Sequence, residues 1–160
     1  MGGFFGVVSK KDCVNDLFFG TDYHSHLGTK RGGMAVQSAT GEIKRNIHDI
    51  TNAQFRSKFE HDVKALKGGA GIGVISDFED QPLIVGSHLG TYAIVTVGRI
   101  NNAEELKKKA FKQRITHFSE MSNSAVNPTE IIATLINKGS SIEEGIEMAC
   151  TEIDGSCSIL

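Results

Sequence analysis

Tryptophan is absent from this chain, and tyrosine occurs only twice in 160 residues. Proteins that hold single-stranded nucleic acid stack bases on aromatic rings, so this scarcity weighs against such a surface. No excess charge of either sign is present: 17 Lys and Arg stand against 19 Asp and Glu, a net −2. The basic field that draws nucleic acid is therefore missing, and no nucleic-acid partner is expected. The three cysteines, Cys13, Cys150 and Cys157, form no CxxC and no zinc spacing, and their number is odd. That usage points to a reducing, cytoplasmic setting. No apolar run reaches the ~18 residues a membrane span needs, so no membrane partner is expected. The N-terminus has neither the basic flank nor the long apolar stretch of a signal peptide. Met1-Gly2 opens like a myristoylation signal, but Gly6 stands where Ser or Thr is required.

Proline is also scarce, at 2 residues, while glycine reaches 18. Many glycines with few prolines suggest tight turns inside a compact fold rather than a linker. With 39% hydrophobic and 22% charged residues, positions 1–160 read as a single domain with a real core. The N-terminal MGGFFGVVS is apolar where termini are usually polar, which predicts a strand entering the core at once, over Phe4–Ser9.

Lys11–Gly20 carries Val14, Leu17 and Phe18 at helical spacing, with Asp12 as cap and Gly20 as stop. A His- and Gly-containing loop, YHSHLGTKRGG, leads to the strand MAVQSA, and a turn leads to IKRNIHDI. Phe55, Phe59, Val63 and Leu66 share one face of a helix over 52–66. GIGVIS and QPLIVGSHLGTYAIVTVGRI supply three more strands, two of them joined at SHLG. Helices are predicted from Asn102, from Pro128 at a first helical position and from a Ser141 cap, before DGSCSIL turns back into a strand. The order is strands, helices, strands, helices, which predicts an α+β fold with two sheets face to face and helices outside. The chain stops within an apolar strand, so a truncated N-terminal part of a longer protein is expected.

Several stretches resemble, in order, the class II glutamine amidotransferases, whose nucleophile is N-terminal. They are FFGVVS, KRGGMAV, GIGVIS, QPLIV, AIVTVGRINNAEEL, NPTEIIATLI and DGSCSIL. GRINNAEEL is the most specific, being similar to the family's HNGNLVNAEEL, and the resemblance is nearest to the glutaminase half of amidophosphoribosyltransferases of purine synthesis. It implies a four-layer αββα sandwich of two antiparallel sheets, with no cofactor or metal in this domain. It also implies a phosphoribosyltransferase-like half in the same chain and a homo-oligomer.

The family's mechanism uses an N-terminal Cys, an Asn–Gly oxyanion hole, and an Arg and an Asp that clamp glutamine. Carried over by motif, the nucleophile position falls on Gly2 and the oxyanion pair on Val97 and Gly98. The carboxylate clamp falls on Ser76 and the amine clamp on Pro128. Only Gly98 keeps the needed group, its backbone N–H. Losing the nucleophile stops covalent catalysis. A missing oxyanion donor costs about 2.7–4 kcal/mol of barrier, and Arg to Ser removes a bidentate contact.

An inactive glutaminase domain with a structural or regulatory role is therefore expected. Two alternatives remain: an amide hydrolase with its nucleophile relocated to Cys13 or to His24 or His26, and a small-molecule sensor using the vacated pocket. Other features have plainer readings. His24 and His26 lack an acidic or Cys partner nearby and read as a hydrogen-bonded loop pair rather than metal ligands. Lys30–Gly33 offers backbone N–H groups to a phosphate, but its place in the resemblance favours a structural turn. Gly68–Gly73 spells a dinucleotide fingerprint, yet it precedes a strand where that fingerprint must follow one. Cys150 and Cys157 read as core, and Lys107–Lys109 as a solvated helix face.

Overall fold

A computed structural model describes residues 2–28, 30–112, 118–122 and 125–160. Strand β1 (Gly3–Val8) opens the chain, followed by helix α1 (Val14–Tyr23), β2 (Arg31–Gln37), β3 (Ile43–Asp49), α2 (Phe55–Ala65) and β4 (Ala70–Ser76). The four strands form one antiparallel sheet in the order β1-β4-β2-β3. Side chains alternate across it as the pleat requires. Met34, Val36 and Ile75 turn to one face and join Leu17, Phe18, Phe55 and Phe59 of α1 and α2 in a core. Phe55 and Phe59 stack there at 4.3 Å, an arrangement that adds about 0.5–1.5 kcal/mol to their burial.

The second half begins with the hairpin β5 (Leu83–Ser87) and β6 (Gly90–Ile94). Next come β7 (Thr96–Ile100), α3 (Ala103–Lys112), β8 (Met121–Ser122), β9 (Ala125–Val126), α4 (Pro128–Ile136), α5 (Ile142–Glu152) and β10 (Gly155–Ile159). β10 pairs antiparallel with β7, and Leu160 continues the pairing onto Val95, between β6 and β7. A second core gathers Leu83 and Ile94 with Leu106, Ile131, Ile132, Leu135 and Ala149 of α3, α4 and α5. α4 forms where expected: the Asn127 side chain accepts the Thr129 N–H and Pro128 takes the first position. The Ser141 cap also forms, accepting the Glu144 N–H. Between the strands of the two halves runs an apolar cleft of about 680 Å³, walled by Phe4, Val8, Ile72, Tyr92 and Leu160.

Three expectations are corrected. Gly20 does not stop α1, which runs to Tyr23; the glycine is there because Phe5 occupies the space its side chain would take. Asp12 does not cap α1; its carboxylate accepts the Gly68 N–H instead, and Cys13 holds the cap position. Arg31, Gly32 and Gly33 are not loop but the first residues of β2. Gly33 lies under the Gln81 carbonyl, and Gly32 lies under the ring of Phe55. Extended and paired on both edges, these N–H groups form no phosphate-binding turn.

Candidate functional site

The site end of the first sheet is built by β1, β4 and β2. Gly2 stands just before β1, and a side chain there would run into the Ile75 carbonyl, with the Ser76 Cα 3.5 Å from its Cβ. The structure therefore brings Gly2 and Ser76 together. Ser76 ends β4, buried. Its hydroxyl donates to the Glu79 carbonyl at 2.8 Å and approaches the Glu79 carboxylate at 3.2 Å. An arginine at this position would present a cation; Ser76 is instead tied to an anion. The cross-strand partner of Ser76 on β2 is Arg31. The Arg31 guanidinium is held by Asp49 at 2.8 Å and Asp80 at 3.0 Å.

Val97 and Gly98 lie on β7, which touches β1. Gly98 sits opposite Cys157, and the Ser156 carbonyl fills the space a Cβ would need. Only glycine fits there. The strand is positioned from the residue before it. The buried Gln81 side chain donates to the Thr96 carbonyl at 3.0 Å and accepts the Thr96 N–H at 2.7 Å. The Thr96 hydroxyl meets the Thr129 hydroxyl at 2.6 Å. Pro128 sits between Thr129 and the buried Asn127, whose amide donates to the Asp80 carbonyl at 3.0 Å.

Ser76, together with Thr96 beside Val97 and Asn127 beside Pro128, is bonded to one short loop, residues 77–82. Glu79 holds Ser76, Asp80 holds Arg31 and Asn127, and Gln81 holds Thr96. Sequence reasoning missed Glu79, Asp80, Gln81, Thr96, Asn127 and Thr129. The one signal available was the acid-rich SDFED run ahead of QPLIV.

The other candidates lie elsewhere. Cys13 is buried beside Gly68, next to the Val8–Ala70 pair. At ~3.3 Å per residue that is about 20 Å along the sheet from Gly2. Burial first, then the Asp12 charge, pushes its thiol up from the ordinary value. A thiolate nucleophile needs the opposite shift. The Cys157 thiol is also pushed up, by burial and then by the Cys150 and Glu79 charges. His24 packs on Gly3, on the helix side of the sheet, with its Nδ1 buried and without a hydrogen-bond partner among the described residues. His24 and His26 both set their rings edge-on to Tyr23. Among the described residues no group of three His, Cys, Asp or Glu side chains is placed to hold a metal ion.

Antiparallel sheets packed with helices give this chain a fold like that of a solved glutamine amidotransferase. Over its whole length it superposes on a glutamine phosphoribosylpyrophosphate amidotransferase from B. subtilis, solved with ADP and GMP. The TM-score is 0.82 at 20% identity, over 34% of that chain. It is also similar, at TM-score 0.81 and 19% identity, to a structure described as the allosteric regulatory enzyme of purine biosynthesis, over 35% of that chain. This chain therefore spans about a third of the length of the solved proteins it resembles. No family model matches the sequence, and no curated protein matches it. Among the described residues no helix is long and apolar enough to cross a membrane.

Proposed function

We propose that this chain is the glutaminase-fold part of an amidophosphoribosyltransferase-like protein, that it does not hydrolyse glutamine, and that it serves a structural or regulatory role beside a phosphoribosyltransferase-like half. The observation that carries this reading is the state of the Gly2–Ser76 corner. Position 2 has no nucleophile, and its side-chain space is closed by the Ile75 carbonyl. Position 76 has no cation, and its hydroxyl is spent on Glu79. Glutamine's α-carboxylate would meet the Glu79 carboxylate there, so the electrostatics oppose binding as well as chemistry. The elevated Cys13 thiol, far from this corner, gives the relocated-nucleophile alternative no support.

The test is ammonia release from glutamine by the full natural chain, beside a Gly2→Cys variant from which Met1 has been removed. Neither should release ammonia above the uncatalysed rate. Release from the natural chain would overturn the reading. Release from the variant alone would mean that Ile75 and Ser76 shift to admit the thiol and that the remaining pocket still holds glutamine.

A further inference from the structure

The cleft between the two halves, about 680 Å³, has apolar walls and a basic mouth. On the first sheet the pleat sends Phe4, Val8, Ala35 and Ile72 toward it, while Phe5 and Val7 pack against the helix-side core. Tyr92 and Leu160 face them from the second half. The Tyr92 hydroxyl is already taken by Asn137 at 2.9 Å. Val8, Ala70, Gln37 and Ile43 stand in register across β1, β4, β2 and β3 and form one end row of the cleft. Val8 is 88% exposed, so this end is open. From Val8 inward to Phe4 the strand covers about 13 Å at ~3.3 Å per residue. The two connections leaving the open end carry Lys10 and Lys11, after β1, and Lys67, before β4. The Ser9 N–H donates to the Gly69 carbonyl at 2.7 Å and holds the two connections side by side. All three lysines are exposed, and none forms an ion pair among the described residues. Of the acids nearby, Asp12 is committed to the Gly68 N–H at 2.8 Å. Glu42 lies at the opposite corner, before Ile43 and Lys44.

We infer that this cleft binds a free saturated fatty acid, its alkyl chain between the two halves and its carboxylate among Lys10, Lys11 and Lys67. A polar occupant would lose its water and find few hydrogen-bond partners along these walls. An alkyl chain loses nothing there and gains by leaving water. The lysines decide the head group and the direction of entry: an anion is drawn to the open end, and a cation is repelled from it. None of Gly2, Ser76, Val97, Gly98 and Pro128 lines the cleft, so the inference stands or falls apart from the loss of glutaminase activity.

The experiment is calorimetric titration of the full natural chain with hexanoate, octanoate and decanoate, each below the concentration at which it forms micelles. Decanol and decylammonium serve as neutral and cationic controls. One decanoate should bind per chain, and each added pair of methylenes should tighten binding roughly fifteenfold. Decanol should bind more weakly than decanoate, and decylammonium more weakly still. A variant carrying Lys10→Gln, Lys11→Gln and Lys67→Gln, all exposed positions, should weaken decanoate about tenfold and leave decanol unchanged. Val8→Gln, at the open end, should weaken both. No binding of decanoate would overturn the inference; that is the result if a second copy of the chain, or another part of the full natural chain, fills the cleft. So would an affinity independent of chain length, several ligands per chain, decylammonium as tight as decanoate, or decanoate binding undiminished in the lysine variant.

Discussion

The side chain of Gln81 does the work of a missing strand, offering Thr96 one donor and one acceptor as a neighbouring peptide group would. Replacing it with leucine, similar in size, leaves the Thr96 N–H and carbonyl buried and unpaired. Each such group costs about 1–3 kcal/mol. Gln81→Leu should therefore lower the denaturant midpoint by an amount that reflects both, and Gln81→Glu, which buries an unpaired charge against the Thr96 carbonyl, should lower it at least as far. Chemical denaturation of the three proteins checks the order. Gln81 was not legible in the sequence, because a hydrogen bond across fifteen residues leaves no periodic mark. The same holds for the Ser76–Glu79 and Thr96–Thr129 contacts. The mapped positions rest on short motifs, and motifs carry position without carrying partners.

At the scale of single elements, α1 offers a prediction whose sign opposes helix propensity. Alanine normally gains about 0.5–1 kcal/mol over glycine within a helix. At Gly20 its methyl would enter the ring of Phe5. Overpacking of this kind costs about 1–3 kcal/mol, so Gly20→Ala should lower stability, and pairing it with Phe5→Leu should recover much of the loss. Comparing the melting temperatures of the single and double variants decides it. The boundary of α1 was misread for the same reason. Glycine marks helix ends by its backbone freedom, but here it is used for its missing side chain, which only the neighbouring strand explains. β2 was misjudged similarly, since Gly32 and Gly33 look like a loop until the Phe55 ring and the Gln81 carbonyl are placed over them. Strands β1, β3 and β4 and helices α4 and α5 were readable, because alternation or a cap sets each of them locally.

Across the molecule, Glu152 at the end of α5 ties three helices together. It accepts from Lys109 of α3 at 2.8 Å and from Lys138, just past α4, at 3.0 Å. The Lys109 hydrogen bond first, with Lys138 helping, outweighs burial and holds its carboxyl below the usual carboxylate range. A folded-state value below the unfolded one means the stabilisation is present above the ordinary carboxylate pKa of about 4.3. It is lost as pH falls through the depressed folded value. Lys109 is largely exposed, so water screens part of the effect, and about 0.2–1 kcal/mol is the expected scale. Glu152→Gln should be less stable than the natural chain at neutral pH, and the gap should close on acidification below that range. Urea titrations at several pH values measure it.

The contact between Gly33 and the loop above it also bears on descent. The Gln81 carbonyl rests where any side chain at position 33 would go. No lineage can acquire a residue there and keep the 77–82 loop seated, and a loop that lifts takes Glu79, Asp80 and Gln81 with it. Substitution at 33 and retention of the Gln81 clamp should therefore exclude one another among relatives. Those two columns alone will sort homologues that keep this corner closed from those in which it has been rebuilt.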